Sequence, residues 1–202
     1  MKKSILLERI LLLLTVLLAA WQVAVGINDV DILPMIAYTV SFGVLLIASL
    51  LLIIMGLDIL DSQIVVIVST IIPLSLSLGL VWENFPSIRQ LYLGFVIVGF
   101  LAIVGTRIKP SANKFPVVIL STVHGVAGMV IFLMPIVMVI TGISHPAFIL
   151  VAVGGALIGI GGLLLAFLKM GKPILSRSTI FAVLPAILFL MTFAFVLGFS
   201  LG

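Results

Sequence analysis

Long apolar stretches separated by short polar ones run through the whole chain. Each stretch is close to the ~20 residues that an α-helix needs to cross the hydrocarbon core of a bilayer. The strict alternation of polar and apolar residues found in membrane β-barrels is missing. The pattern predicts an all-α, polytopic membrane bundle that forms one integral domain over residues 1–202. Its seven predicted helices are about Ile10–Ile27, Leu33–Gly56, Ile64–Trp82, Leu91–Thr106, Pro116–Thr141, Ala147–Leu168 and Thr179–Leu197.

The composition agrees with this interpretation. Of all residues, 64% are hydrophobic and 8% are charged, whereas a water-soluble domain carries about 25% charged residues. The chain could therefore not cover its own surface in water. It has no cysteine, which excludes disulfides, thiolate metal sites and iron–sulfur clusters.

The positions of the basic residues predict the orientation of the helices. With a cytoplasmic N-terminus and an external C-terminus, only Arg89 lies on the outer side, which fits the preference of Lys and Arg for cytoplasmic loops. This topology also explains the net charge of +4 without a nucleic-acid partner. The other nine basic residues then lie on the cytoplasmic side: Lys2, Lys3, Arg9, Arg107, Lys109, Lys114, Lys169, Lys172 and Arg177.

The first apolar segment is expected to stay as a membrane helix. Residues 19–25, AAWQVAV, offer a poor cleavage site for a signal peptidase, which prefers small residues spaced by one. Short loops and the lack of an organelle signal indicate a multi-pass protein of a prokaryotic cytoplasmic membrane, with lipid and other integral subunits as partners.

Two segments share a pattern that suggests internal duplication. Residues 39–56 and 122–142 both begin Thr-Val, have an early glycine and end in glycine, and each is followed by two more segments. Two such three-helix units after one leading helix would run in opposite directions. The hypothesis is a 1+3+3 arrangement with inverted repeats, as in several secondary transporters.

His124 is the main candidate for chemistry. It follows Pro116 by eight residues, which places it ~12 Å along its helix, near mid-depth. Ser121, Gly125 and Gly128 lie within one turn, and small residues at this spacing predict a face packed closely on another helix. An ionisable side chain at this depth is costly and often functional. A structural role, cofactor ligation and proton relay stay open.

One stretch around this residue resembles the helices of membrane b-type cytochromes. His124-Gly125 is followed by an apolar run that ends Thr141-Gly142, within residues 121–146. The resemblance implies haem b with His124 as a ligand. His145 follows 21 residues later, ~31 Å along a continuous helix, so it cannot ligate the same iron. A haem would need a second chain or a methionine such as Met129, Met134 or Met138. His145, beside Pro146, is expected to form a turn or cap.

The absence of acidic residues from the middle of the segments excludes several classes of function. Carriers coupled to protons or sodium usually hold a carboxylate at mid-membrane, and intramembrane metalloenzymes need clustered acids or histidines. The pairs Asp58–Asp61 and Asp29–Asp31 lie in loops, where they could bind a cation or act as solvated turn and cap residues. No catalytic constellation and no metal site is therefore predicted.

Prolines at positions 73, 135 and 185 interrupt three of the segments. A proline frees a backbone carbonyl and bends a helix. The hydroxyls of Ser69, Thr70, Ser75 and Ser77 flank Pro73, and they could satisfy the freed backbone or line a polar path.

The sixth segment contains GGALIGIGG at residues 154–162. Gly155 and Gly159 have the spacing of close helix pairs in membranes. A phosphate-binding loop is excluded, because the stretch lies inside an apolar span and no lysine follows it. Tight helix packing is predicted there.

Three functions remain from these observations. The first is a non-catalytic subunit of a larger membrane complex, such as a respiratory or other energy-transducing one, indicated by small loops, glycine-rich faces and a histidine without a partner. The second is a small carrier or channel for an uncharged or zwitterionic solute, indicated by the prolines, the serine cluster and the suggested repeat. The third is a b-type haem protein that uses His124.

Overall fold

Seven helices that are long and apolar enough to span a membrane make up the structure, a computed structural model that describes residues 2–27, 30–108, 115–169, 171 and 173–202. Within these residues there is no β-strand. The predicted all-helical fold with seven apolar helices of membrane-spanning length is thus confirmed. The helices are α1 (Lys2–Val25), α2 (Ile32–Met55), α3 (Gln63–Asn84), α4 (Arg89–Ile108), α5 (Phe115–Ile140), α6 (Ile149–Lys169) and α7 (Arg177–Leu201).

The helix bounds differ from the predicted ones by a few residues except at the start of α1. There the helix includes Glu8 and Arg9 and begins at Lys2, because a helix continues through polar residues beyond the membrane core. Short 3-10 turns connect three pairs of helices, at Leu57–Asp61, Pro86–Ile88 and Pro146–Phe148. Pro73, Pro135 and Pro185 lie inside continuous helices.

The helices α1, α3, α5 and α7 begin at one end of the bundle, which we call the basic end because Arg9, Arg107 and Arg177 lie there. Arg89 lies near the opposite end, at the start of α4. The predicted cytoplasmic position of the basic end stays a prediction.

Six of the helices form a closed ring in the order α1, α2, α3, α5, α6, α7. The remaining helix, α4, packs outside the ring against α3 and α5. Exchange of α1, α2 and α3 with α5, α6 and α7 converts the six contacts of the ring, without those of α4, into themselves. The α1–α2 contact becomes α5–α6, α2–α3 becomes α6–α7, and α1–α7 becomes α5–α3.

The inverted 1+3+3 grouping does not have this property. Exchange of α2, α3 and α4 with α5, α6 and α7 would turn the α3–α5 contact into an α6–α2 contact. In the described part of the chain α6 packs instead on α5 and α7. The inverted repeat thus stays a prediction that the helix contacts do not support.

The buried core lies mainly in the half of the bundle away from the basic end. Its larger apolar cluster draws on all seven helices, and its members come from the first part of α2 and α6 and the last part of α3, α5 and α7. Tyr38, Leu80, Ile131, Met191 and Phe195 are among its most deeply buried large side chains. A smaller cluster joins α3, α4 and α5 through Leu74, Ile103, Val123 and Ala127.

Candidate functional site

His124 lies on α5 with its ring mostly buried. The Leu120 carbonyl, one turn earlier, interacts with the ring, but Nδ1 is buried and makes no hydrogen bond of good geometry. Ser121, one turn before His124, is exposed. His124 is therefore a buried polar group whose hydrogen-bonding capacity is not satisfied by the described residues.

His145 lies at the opposite end of the bundle, beyond the end of α5. Its Nδ1 accepts a hydrogen bond from the backbone N–H of Ala147 at 3.3 Å, so it caps the turn before α6, in agreement with the sequence-based expectation. On α5, Met134 and Met138 belong to the buried core and are ~15 and ~21 Å along the helix from His124. Met129 is 54% exposed on the outer surface. None of these three methionines is therefore placed well to share a haem iron with His124.

The hydroxyls around Pro73 bind mostly to carbonyls of their own helix. Ser69 and Thr70 donate to the Val66 carbonyl at 3.1 and 2.8 Å, and Ser77 donates to the Leu74 carbonyl at 3.1 Å. Thr70 and Ser77 have no exposed surface. These bonds favour the structural interpretation of the cluster over a continuous polar path.

Ser75 differs from its neighbours because it borders a groove. The groove has a volume of about 310 Å³ and lies between α3 and α4, with apolar side chains around the single hydroxyl-bearing residue. It opens on the outer surface of α3, away from the six-helix ring.

The four glycines predicted to pack closely behave differently from one another. At Gly155 an added Cβ would lie 2.9 Å from Ile131 Cγ2 and 3.1 Å from the Ile131 backbone carbon, so α5 and α6 touch there, as expected. At Gly125, Gly128 and Gly159 an added Cβ would meet no atom within 4 Å. Within the described part of this chain no other helix packs closely on these three glycines, so their role in helix packing stays a prediction.

Other glycines of α6 and α7 provide close helix contacts. An added Cβ at Gly154 would lie 2.5 Å from Phe195, and one at Gly198 would lie 2.8 Å from the Val151 backbone nitrogen. These contacts join α6 to α7. Sequence spacing alone could not separate them from the open glycines, since both kinds occur in the same apolar helices.

Arg177 forms an ion-pair cluster at the basic end that the sequence analysis missed. Its Nη2 lies 2.8 Å from Asp58 Oδ1 and 2.8 Å from Asp61 Oδ2. Ser176 caps the first turn of α7 by accepting from the Thr179 backbone N–H at 3.1 Å, which fixes where Arg177 begins the helix. The guanidinium also lies 4.9 Å from the centroid of the Phe181 ring. The two aspartates thus bind an arginine far along the chain.

A second polar group lies at the opposite end, between α2, α3 and the start of α4. The Tyr38 hydroxyl donates to Glu83 Oε2 at 3.4 Å, and Tyr38 itself is 2% exposed. Arg89 donates through Nε to the Trp82 carbonyl, and its Nη2 lies 3.9 Å from Asp31 Oδ2. The partly buried Glu83 therefore has a defined partner, which its position at a helix end did not predict.

Phe199 of α7 packs on aromatic residues at the same end of the bundle as Tyr38 and Glu83. Its ring centroid lies 4.8 Å from Tyr38, 6.3 Å from Phe42 and 5.9 Å from Phe148. Tyr38 and Phe42 belong to α2, and Phe148 belongs to the turn before α6. The aromatic cluster of these four residues therefore joins α2 to α7 across the bundle.

Buried polar side chains elsewhere in the bundle are almost all hydroxyls. Ser41 donates to the Ile72 carbonyl at 3.0 Å and thereby links α2 to α3. The Ser49 hydroxyl is buried without a hydrogen-bond partner. The residues described contain no group of three or more His, Asp or Glu side chains that could hold a metal ion.

No protein family model matches this chain. No curated protein and no solved structure is significantly similar to it. Its function is therefore inferred from the helix contacts and side-chain chemistry described above.

Proposed function

We propose that this protein is a membrane carrier for a small uncharged or zwitterionic solute, built from two parallel three-helix units. Helices α1–α3 form the first unit, α5–α7 form the second, and α4 joins them. The observation that carries the proposal is the exchange symmetry of the helix contacts. Because an odd helix separates the units, both would cross the membrane in the same direction, related by an axis along the membrane normal, a known architecture of carriers.

The spacing of special residues supports this grouping. Pro34 lies in the first turn of α2, and Pro146 begins the turn that precedes α6. Pro73 and Pro185 lie within the third helix of each unit. Both pairs are 112 residues apart, as are Gly43 and Gly155. Apolar helices share leucines by chance, but proline is rare inside helices because it removes a backbone hydrogen bond.

The ends of the helices repeat as well. Every described glycine with a positive φ follows the first or second helix of a unit. Gly26 and Gly142 follow α1 and α5, and Gly56 and Gly171 follow α2 and α6. Left-handed backbone at these positions ends a helix at low cost only in glycine. The same stop signals thus recur in the same order.

The side chains inside the bundle support a solute without net charge. Thr15, Ser41, Ser49, Thr70, Ser77 and Thr192 are buried there, and the described acidic side chains lie near helix ends. Five of these hydroxyls donate to backbone carbonyls. The Ser49 hydroxyl has no hydrogen-bond partner among the described residues, so it is the one left to bind a polar solute without the desolvation cost of a buried ion. In carriers made of repeats, the solute site lies near mid-membrane between the repeats.

The test is solute counterflow in liposomes that contain the purified protein. Vesicles are loaded with one unlabelled solute from a panel of neutral monosaccharides and neutral amino acids, and uptake of the labelled solute is followed. We expect accumulation for at least one member that is absent from protein-free vesicles. Absence of counterflow for the whole panel would contradict the proposal.

A second candidate, a subunit of a membrane complex, is favoured by the outer face of α5. Gly125 and Gly128 lie there without neighbours, beside the exposed Ser121 and the unsatisfied Nδ1 of His124. Another transmembrane helix could approach closely at such a surface. Extraction from the native membrane in a mild detergent, followed by mass spectrometry, distinguishes the two functions. Stoichiometric foreign subunits would support this second candidate.

A further inference from the structure

The two units are held together by different chemistry at the two ends of the bundle. At the basic end, Arg177 begins the last helix of the second unit, whereas Asp58 and Asp61 lie in the turn between α2 and α3 of the first unit. At the opposite end, Phe199 of the second unit packs on Tyr38 and Phe42 of the first. The units also pack through the contacts of α1 with α7 and of α3 with α5, so these two clusters add to the helix packing at the two ends.

The ionic connection is the easier one to break. The side chains of Arg177, Asp58 and Asp61 are 52%, 87% and 53% exposed. Ion pairs between exposed side chains contribute little, because water solvates the separated charges well and salt screens their attraction. Tyr38 and Phe42 are each 2% exposed, so separating their rings from Phe199 would expose a large apolar area.

The distribution of the core leads to the same conclusion. The larger apolar cluster occupies the half of the bundle that contains Tyr38, Phe42 and Phe199. Toward the basic end, α3 has only half-buried or exposed residues from Gln63 to Ser69. Along α3, less buried surface must be separated there if the units move apart, whereas Leu12 of α1 and Ile180 of α7 are buried near the same end.

We propose that the ion-pair cluster of Arg177, Asp58 and Asp61 is a latch, and that its release opens the bundle at the basic end while the aromatic cluster keeps the opposite end closed. This inference rests on the proposed carrier function. The latch would then control access from one side of the membrane, and the rigid contact around Phe199 would act as the hinge of that motion.

Pairs of spin labels can measure the separation of the units at both ends. Because the chain has no cysteine, two introduced cysteines give two labelled positions and no others. Ile64 and Ser178 report on the basic end, and Met35 and Leu201 report on the opposite end. All four positions are exposed, so the labels need not disturb the core. Distances are measured by pulsed electron paramagnetic resonance on the full chain in lipid nanodiscs, without solute.

We expect Arg177→Gln to shift the distance distribution between positions 64 and 178 to longer values and to leave that between positions 35 and 201 unchanged. The charge exchange of Arg177→Asp with Asp61→Arg should restore the shorter distances. Arg107→Gln is the matched control: Arg107 Nη1 donates to Gln63 Oε1 at 2.9 Å, at the same end of the bundle but between α3 and α4. It should change neither distribution.

Unchanged distances at the basic end in Arg177→Gln would overturn the proposal. So would equal lengthening at both ends, which would indicate general loosening of the bundle. Because these measurements need no solute, they are independent of counterflow. Counterflow without opening in the variant would refute the latch alone, and opening without counterflow would refute the carrier function alone.

Discussion

The ring of Tyr38 in α2 lies directly on Gly79 in α3, so that a Cβ at position 79 would overlap Cε1 and Cζ of the ring. The ring cannot easily move, because Phe199 packs on it and its hydroxyl donates to Glu83. This contact holds the first unit together close to the point where the second unit packs on it.

Gly79→Ala should therefore destabilise the protein by about 1–3 kcal/mol, the usual cost of forcing an extra methyl group into a packed core. The measurement is thermal unfolding of the purified variant in detergent. Gly94→Ala in α4 is the control, since an added Cβ there meets no atom within 4 Å. Equal melting temperatures for the two variants would show that the Tyr38 ring adapts.

Gly155 and Gly159 provide a second matched pair, one turn apart on α6. Gly155→Ala should lower the melting temperature, because the new methyl group would press on the backbone of Ile131 in α5. Gly159→Ala should leave it unchanged or raise it slightly, since alanine favours the helix by up to about 1 kcal/mol. If Gly159→Ala, but not Gly155→Ala, reduced the amount of oligomer or complex purified with the protein, the surface of α6 at Gly159 would be a contact with another chain.

The sequence predicted the helices well, because the thickness of the bilayer sets their length and no Asp, Glu, Lys or Arg interrupts the predicted segments. It predicted less about which helix faces pack. Gly125 and Gly155 both have small residues close by in the sequence. Gly155 nevertheless contacts Ile131 and Gly125 contacts no other helix among the described residues, a difference that depends on how all seven helices pack. The same reason hid the ion pairs of Arg177, whose partners lie more than a hundred residues away.

The repeat suggested by the sequence alone and the repeat proposed from the helix contacts pair different helices. Thr-Val and Gly motifs near residues 39 and 122 favoured α2 and α5 as equivalents, and those residue types are common in apolar helices. The prolines at 34, 73, 146 and 185 carry a rarer signal at one constant spacing. Their significance became visible once the helix contacts suggested that α4 is the connecting helix.

His124→Leu tests whether the buried histidine has a binding role. If the imidazole is an unsatisfied polar group, leucine should leave the free energy of unfolding unchanged or raise it by about 1 kcal/mol, because leucine removes the cost of burying a nitrogen without a hydrogen-bond partner. Unfolding in detergent measures this effect. The absorption spectrum of wild-type protein produced with haem supplied is the accompanying check. A Soret band that disappears in His124→Leu would instead establish His124 as a haem ligand.

Pro73 and Pro185 test the equivalence of α3 and α7. If the two helices are copies that bend as the units move, Pro73→Ala and Pro185→Ala should each restore a backbone hydrogen bond, keep or raise the melting temperature, and reduce counterflow to a similar extent. Pro135→Ala in α5 is the matched control, because Val23 occupies the corresponding position of α1. Its effect on counterflow should be smaller. Loss of counterflow in only one of the α3 and α7 variants would mean that the two helices are not functionally equivalent, and the parallel grouping of the units would lose its main sequence support.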